Sequence, residues 1–244
     1  MGKIFNIIWQ SELDSTQSYL NSMNFEHLPD WTVIATKNQT KGRGQGDNQW
    51  ETQKDKNLTF SILIKPTFLK PSQQFLITQI ISLGICDYLK QFTENACIKW
   101  PNDIYIGNNK ICGILIQNSI CGDIFSNSIC GIGININQTY FCLAPNPTSL
   151  KLETGNDYEI EKELEDILMY IRLRYEMAKN MNILVKEYMS KLLFFNIDKP
   201  YYYMGKRIIA KIIDVNEYGH LILITKDNNK IIASMKEIRF ELNQ

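Results

Sequence analysis

The stretch from Ala96 to Ser119, "ACIKWPNDIYIGNNKICGILIQNS", predicts three short strands in succession. Its apolar runs are separated by turn-forming residues, a pattern typical of antiparallel strands with tight connections. Pro101 restricts Trp100 to an extended conformation, and the Asn-Asp pair after it favours a turn. A second turn is predicted at Gly107–Asn109. The segment therefore predicts a rigid sheet, with polar side chains held at its connections.

The flanking sequence extends this sheet and adds helices on both sides of it. Strands are predicted at Ile4–Trp9, Trp31–Thr36, Asn57–Pro66 and in "SICGIGININ", and helices just after "ELDST" and at Ser72–Phe92, Ile160–Asn180 and Ile183–Leu193. For the first helix, Asp14, Ser15 and Thr16 are the candidate N-caps. The order of elements predicts an α+β fold with a mixed, mostly antiparallel sheet and packed helices.

The C-terminal tail has a different pattern. From "KPYYYMGKR" onwards, short apolar runs alternate with Gly and Asn-Asn turns, which predicts a small all-β barrel of roughly fifty residues. We expect a boundary near Asn196, with one domain at 1–195 and a second at 196–244.

Composition narrows the class of protein. The 244 residues carry equal numbers of acidic and basic side chains, and 44% are hydrophobic. Zero formal net charge gives no support to binding of bulk nucleic acid or a membrane surface. The six cysteines form no C-x-x-C pair and only two histidines are present, which argues against a zinc site. We expect a soluble cytoplasmic protein with reduced thiols and no nucleic-acid or membrane partner.

A glycine-rich loop, "TKGRGQGDNQW" from Thr40 to Trp50, is the first candidate functional segment. It lacks the G-x-x-x-x-G-K-[ST] of a P-loop, and it leads into a strand, whereas the Rossmann glycines open a helix. Closely spaced glycines let backbone N–H groups approach an anion, and Arg43 can grip a carboxylate or phosphate. The alternative is a solvated hairpin loop.

Further polar and glycine positions follow along the chain. The KWPND turn holds Lys99 and Asp103, "NNKICG" adds Lys110 and Gly113, and "GIGIN" adds two glycines and Asn135. Glycines within strands often mark a closely approaching ligand, although a lysine at a hairpin is ordinarily solvated.

Together these motifs resemble biotin protein ligases. "DSTQ", "QTKGRGQGDNQW", "KWPNDIYI-x3-K-x2-GIL" and "GIGIN" occur in this order over nearly the whole chain. The resemblance implies a class II synthetase-like catalytic domain with an SH3-like C-terminal barrel. It also implies activation of biotin by ATP and Mg²⁺ to biotinyl-5′-AMP. The biotinyl group then passes to a lysine on the biotin carrier domain of a carboxylase, as in biotin–[acetyl-CoA-carboxylase] ligases.

The resemblance also implies roles for individual residues. Ser15, Thr16 and Gln39 match positions that contact the ureido ring of biotin, and Gln17 and Gly42 are assigned to the same binding set. Arg43 and Gly44 match a lid over the adenylate, and Trp50 matches an aromatic beside the adenine, with a core tryptophan as its alternative. The remaining matches are Lys99 near the phosphates, Lys110 at the biotin carboxylate and α-phosphate, Gly113 and Gly131 beneath the biotin chain, and Asn102, Asp103 and Asn135 as polar contacts to nucleotide, magnesium or the incoming lysine. We expect Arg43, Lys99, Asp103 and Lys110 to be the catalytic group.

The sequence departs from the resembled family in the loop. Many bacterial members have three arginines there, whereas Gln45 and Asn48 occupy two of those positions here. We therefore expect a lid that holds its anion less firmly. The catalytic pattern begins by Ser15, so we expect an enzyme without an N-terminal DNA-binding domain, as a monomer or weak homodimer. The alternatives are a lipoate or octanoate ligase of the same fold, a non-catalytic biotin-binding module, and a nucleic-acid-binding protein.

Overall fold

The structure is a computed structural model that describes residues 4–46, 48–143, 145–178 and 180–242. Its strands are β1 Asn6–Gln10, β2 Thr32–Thr36, β3 Asn57–Ile64, β4 Ala96–Lys99, β5 Asp103–Ile106, β6 Asn109–Cys121, β7 Ile124–Asn135, β8 Asp198–Tyr203, β9 Lys206–Val215, β10 Leu221–Thr225, β11 Lys230–Ala233 and β12 Ile238–Phe240. Its α-helices are α1 Thr16–Asn21, α2 Phe75–Leu89, α3 Leu150–Thr154, α4 Ile160–Met177 and α5 Met181–Lys191.

Strands β1 to β7 form one sheet in the order β1-β2-β3-β7-β6-β5-β4. Only the β1–β2 pair is parallel among these strands, and the other neighbours are antiparallel. The predicted α+β class with a mixed, mostly antiparallel sheet is therefore confirmed. The three strands predicted in the opening segment are β4, β5 and β6, and they are consecutive neighbours at one end of the sheet.

Both faces of the sheet are covered, which explains why β3 is buried along its whole length although Asn57, Thr59 and Ser61 alternate with apolar residues. Every residue of β3 is buried. On one face, Leu20 of α1 packs with Ile34, Leu63 and Ile129. On the other face, α2 forms the centre of the larger core with α4 and α5. The buried polar side chains of β3 are hydrogen-bonded, as Thr59 Oγ1 is to Thr36 O.

The helix ends follow local chemistry. Ser15 is the N-cap of α1, with extended backbone and a hydroxyl that accepts from Ser18 N. Predicted helix Ser72–Phe92 is longer than α2, because Pro71–Gln73 forms a 3-10 turn before it. The short α3, capped by Ser149 and ended by Gly155 at φ 80°, was not predicted from the sequence because five residues are too few for a helical period.

The C-terminal strands form a second, antiparallel sheet in the order β11-β10-β9-β8-β12, which fits an SH3-like domain. This sheet is fixed to the KWPND turn, because Trp100 Nε1 donates to Gly219 O at 2.9 Å in a buried contact. Strand β4 is also joined to the segment that precedes the second sheet, because Leu193 N donates to Ile98 O at 2.8 Å. The turn between β4 and β5 is thus held from both sides.

None of the helices in the described ranges is long and apolar enough to cross a membrane.

Candidate functional site

A cavity of about 870 Å³ lies where α1, the glycine loop, the KWPND turn and the glycines of β6 and β7 meet. Thirteen of the fourteen predicted binding residues line it, and so does Asp103; these are Ser15, Thr16, Gln17, Gln39, Arg43, Gly44, Trp50, Lys99, Asn102, Asp103, Lys110, Gly113, Gly131 and Asn135. Gly42 is the one predicted residue outside the lining. A Cβ on Gly42 would lie 2.8 Å from Gln39 Nε2 and closer still to Trp50 O. Gly42 therefore packs against two of the lining residues.

The glycine loop forms a small hairpin along one side of the cavity. Trp50 N donates to Gly42 O at 3.0 Å, and Gly44 N donates to Asn48 O at 2.8 Å. Arg43 pairs with Gln49 across this hairpin. Backbone hydrogen bonds therefore join the described residues of the two arms of this loop, and Arg43 lines the cavity.

A polar cluster closes one end of the cavity. Gln39 Oε1 accepts from Thr16 N at 3.0 Å, and the Thr16 hydroxyl lies 2.9 Å from that of Ser61. Gln17 Nε2 donates to Leu115 O at 3.2 Å. These buried polar groups are all hydrogen-bonded, as is expected because an unpaired polar group in a core is costly. Hydroxyl and amide side chains in this arrangement can donate to and accept from a planar urea-type group.

At the other end, two lysines flank one carboxylate. Lys110 Nζ lies 2.8 Å from Asp103 Oδ1, and Lys99 Nζ lies 3.9 Å from Asp103 Oδ2. All three side chains are about four-fifths shielded from solvent. Burial lowers the pKa of Lys99, with the nearby Asp103 opposing that shift and Lys110 adding to it. Two cations with a single carboxylate leave an excess positive charge, which favours an anion in the cavity.

Amide side chains surround this charged group. Asn102 Nδ2 donates to Ile114 O, and Ile114 N donates to Asn102 O at 3.0 Å. Asn135 Nδ2 donates to Thr148 O at 2.9 Å, whereas its Oδ1 is buried without a hydrogen-bond partner among the described residues. An oriented acceptor that lacks a donor in the protein is a natural contact for an amino group of a ligand.

The Trp50 indole lies directly against the glycines of the sheet. A Cβ on Gly133 would collide with the ring, and one on Gly113 would lie 3.1 Å from Trp50 Cζ3. Lys110 Nζ lies 5.7 Å from the centre of the ring. By contrast, a Cβ on Gly131 would meet Gln17 Oε1 at 3.2 Å. Two of these three strand glycines therefore make room for an indole from the chain itself.

Sequence reasoning missed two groups of cavity residues. From the C-terminal region, the lining of the cavity includes Met235, Ile238, Arg239, Phe240 and Leu242. From the segment after β7, it includes Phe141 and Leu143, whose backbone is held by Glu51, which accepts from Cys142 N and Leu143 N at 2.7–3.0 Å. No local motif marks these positions, since their place in the site depends on how distant segments pack.

The site does not by itself form a magnesium cage. Among the described residues no group of three His, Cys, Asp or Glu side chains could hold a metal ion. The two cavity carboxylates, Asp103 and Glu51, already accept from lysines and from backbone N–H groups. Mg²⁺ is commonly bound by one or two carboxylates together with substrate phosphates, so the residues present do not fit a resident metal ion.

The geometry suits a reaction between two anions. Lysines at one end can neutralise phosphate and carboxylate charge, the polar cluster can hold a neutral ring at the other end, and the hairpin can shield the middle from water.

Comparisons with known proteins agree with this arrangement. Residues 9–135 match the model of the Biotin/lipoate A/B protein ligase family. The bifunctional ligase/repressor BirA of Bacillus subtilis is 26% identical over 242 residues, covering 94% of this chain and 72% of that protein. Biotin–protein ligase 1 of Arabidopsis thaliana is 33% identical over 117 residues, covering 45% of this chain and 30% of that protein.

A solved structure, that of the Aquifex aeolicus biotin protein ligase in complex with biotin and ATP, superposes with a TM-score of 0.79. It is 27% identical and covers 97% of this chain and 99% of that one. The family model spans more than half of the sequence and contains most of the cavity residues. This chain belongs to the biotin/lipoate A/B protein ligase family.

Proposed function

We propose that this protein is an ATP-dependent biotin–protein ligase that forms biotinyl-5′-AMP and transfers biotin to a carrier-domain lysine. The observation that carries the proposal is that one cavity has a hydroxyl and amide cluster at one end and Lys99, Asp103 and Lys110 at the other. Relatives named as biotin ligases, one of them solved with biotin and ATP, support it.

In the first half-reaction, a carboxylate oxygen of biotin attacks the α-phosphorus of ATP. The P–O bond to pyrophosphate breaks as the new P–O bond forms. Lys110, Lys99 and Arg43 would neutralise the carboxylate and phosphate charges that meet there. Asn135, whose Nδ2 donates to Thr148 O, would be a polar contact to the nucleotide.

In the second half-reaction, the amine of the acceptor lysine attacks the biotinyl carbonyl carbon. The C–O bond to AMP breaks, an amide forms and the amine loses a proton. We propose that Asp103 receives the incoming amine. Asp103→Asn should then lose transfer from supplied biotinyl-AMP, and full retention of transfer would exclude this role.

The proposal extends to the setting of the reaction. The acceptor would be the carrier domain of a biotin-dependent carboxylase, such as acetyl-CoA carboxylase, in the cytoplasm. Mg²⁺ would enter with the phosphates of ATP. Residues 1–195 would form the catalytic domain and 196–244 the C-terminal one, with the protein a monomer or weak homodimer that binds no nucleic acid.

The test is incubation with MgATP and labelled biotin, with and without a biotin carrier domain. Biotinyl-AMP alone, converted to labelled carrier when the domain is added, is the expected result. Use of lipoate or octanoate in place of biotin would assign the protein to the sister activity. Biotin binding without pyrophosphate–ATP exchange would indicate a non-catalytic biotin-binding module.

A further inference from the structure

We infer that Phe240, at the end of the C-terminal sheet, is a positioning residue. Its ring partly shields the Lys99 ammonium from water and leaves the N–H groups available to a ligand phosphate. The inference rests on the proposed function, since it assigns Phe240 a part in the ATP half-reaction. It begins with how Lys99 is held.

The Lys99 ammonium lies between two aromatic rings. Its Nζ is 5.4 Å from the centre of the Phe240 ring and 5.7 Å from that of Tyr105. The nearest carboxylate oxygen, on Asp103, is 3.9 Å away, beyond hydrogen-bond distance, because Lys110 takes the other oxygen at 2.8 Å. Lys99 is therefore stabilised by ring faces and by charge at a distance.

Among the described residues, none accepts a hydrogen bond from the Lys99 ammonium. Aromatic faces attract a cation electrostatically but accept no conventional hydrogen bond. They also bury part of the Lys99 side chain, and burial is the leading cause of the lowered pKa of Lys99. A phosphate that enters the cavity thus meets a partly desolvated cation.

Phe240 is itself fixed from behind by its own domain. Its ring contacts Tyr201 edge-on at 5.1 Å and stacks on Phe194 at 6.4 Å. Strand β12 pairs with β8, with Phe240 opposite Tyr201. The second sheet therefore reaches the reaction centre through one ring, and the Trp100–Gly219 hydrogen bond fixes the same turn to that sheet.

The test compares full-length Phe240→Leu, Phe240→Met and Phe240→Tyr with the unmodified protein. The leucine and methionine variants keep apolar bulk but lose the ring face, and Phe240→Tyr keeps it. Phe68→Leu is the matched control, since it removes an aromatic ring that packs against Tyr175 and lies outside the cavity lining. The measurements are biotin-dependent pyrophosphate–ATP exchange, transfer from supplied biotinyl-AMP, and pyrophosphate binding by titration.

We expect Phe240→Leu and Phe240→Met to lose about tenfold in kcat/KM for exchange and in pyrophosphate affinity, as loss of a partly desolvated cation–π contact implies. Transfer should stay within about twofold, and Phe240→Tyr and Phe68→Leu should resemble the unmodified protein. An equal loss in both half-reactions, or unchanged pyrophosphate affinity, would overturn the inference.

The two proposals fail in different ways. If the unmodified protein bound pyrophosphate but catalysed no exchange with biotin, the proposed ligase activity would be wrong. The Phe240 inference would then still be decided by the difference in pyrophosphate affinity between the variants.

Discussion

Lys110 Nζ and Asp103 Oδ1 are 2.8 Å apart and form the direct ion pair of the candidate site. The pair joins β6 to β5, and Lys110 is also fixed through its backbone, since its N donates to Asn146 O and its O accepts from Thr148 N. A lysine held on three sides is a preorganised cation, which is the arrangement that stabilises charge in a transition state.

Lys110→Met should therefore reduce biotinyl-AMP formation by a factor on the order of 10² or more, because a cation is removed from the point where two anions meet. Pyrophosphate–ATP exchange measures it. Lys151→Met is the control, since Lys151 pairs with Asp157 at the surface and should change the rate less than about twofold. A similar small effect at Lys110 would exclude it from the chemistry.

The exchange rate should fall on the alkaline side at a lower pH than an ordinary lysine predicts. Burial lowers the pKa of Lys99, so its positive charge is lost sooner as pH rises. Asp103 opposes that shift, and Asp103→Asn should therefore move the alkaline limb to still lower pH. A pH–rate profile of both proteins checks the direction, and a limb that moves to higher pH in the variant would contradict it.

Gly133→Ala should displace Trp50, because the added methyl group would overlap the indole. We expect at least a tenfold rise in the KM for ATP and a changed tryptophan emission. Gly113→Ala is the comparison on the neighbouring strand, where the methyl would lie 3.1 Å from the ring edge and a small shift suffices. Equal effects of the two substitutions would show that ring overlap is not the cause.

Glu51→Ala should release the segment after β7, since its carboxylate accepts from Cys142 N and Leu143 N. These two amides should exchange with solvent about tenfold faster, a modest effect for a charged acceptor in an exposed place. The KM for ATP should rise as Phe141 and Leu143 lose their fixed position. Glu51→Gln keeps one oxygen acceptor, so its amide exchange rates should lie between those of the unmodified protein and Glu51→Ala. Unchanged amide exchange in both variants would refute this role.

Gln45→Arg should slow release of biotinyl-AMP. In the hairpin, Gln45 contributes its carbonyl to Asn48 Nδ2 at 2.9 Å, so its side chain is available for replacement without loss of that bond. An added guanidinium would give the anhydride phosphate a charge-assisted contact. The measurement is the dissociation rate of labelled adenylate, and faster release from Gln45→Arg would count against the idea that the missing arginines loosen the lid.

The sequence alone determined the fold class, most of the helices and strands, and the family. It could do so because these depend on local patterns. "DST" supplies an N-cap for α1, "KWPND" supplies a turn between β4 and β5, and apolar runs with glycine turns specify antiparallel strands. The order of these motifs along the chain is sufficient to indicate the family.

The tertiary structure alone decided which residues meet across the cavity. Trp50 covers Gly113 and Gly133, Glu51 holds the backbone at Cys142 and Leu143, and Phe240 covers Lys99 from the second sheet. Each contact joins segments tens of residues apart, and no motif in the sequence around Glu51 or Phe240 marks these two residues. Their roles arise from the packing of the two sheets around one turn, because long-range geometry is set by the whole core and not by the neighbours of any residue along the chain.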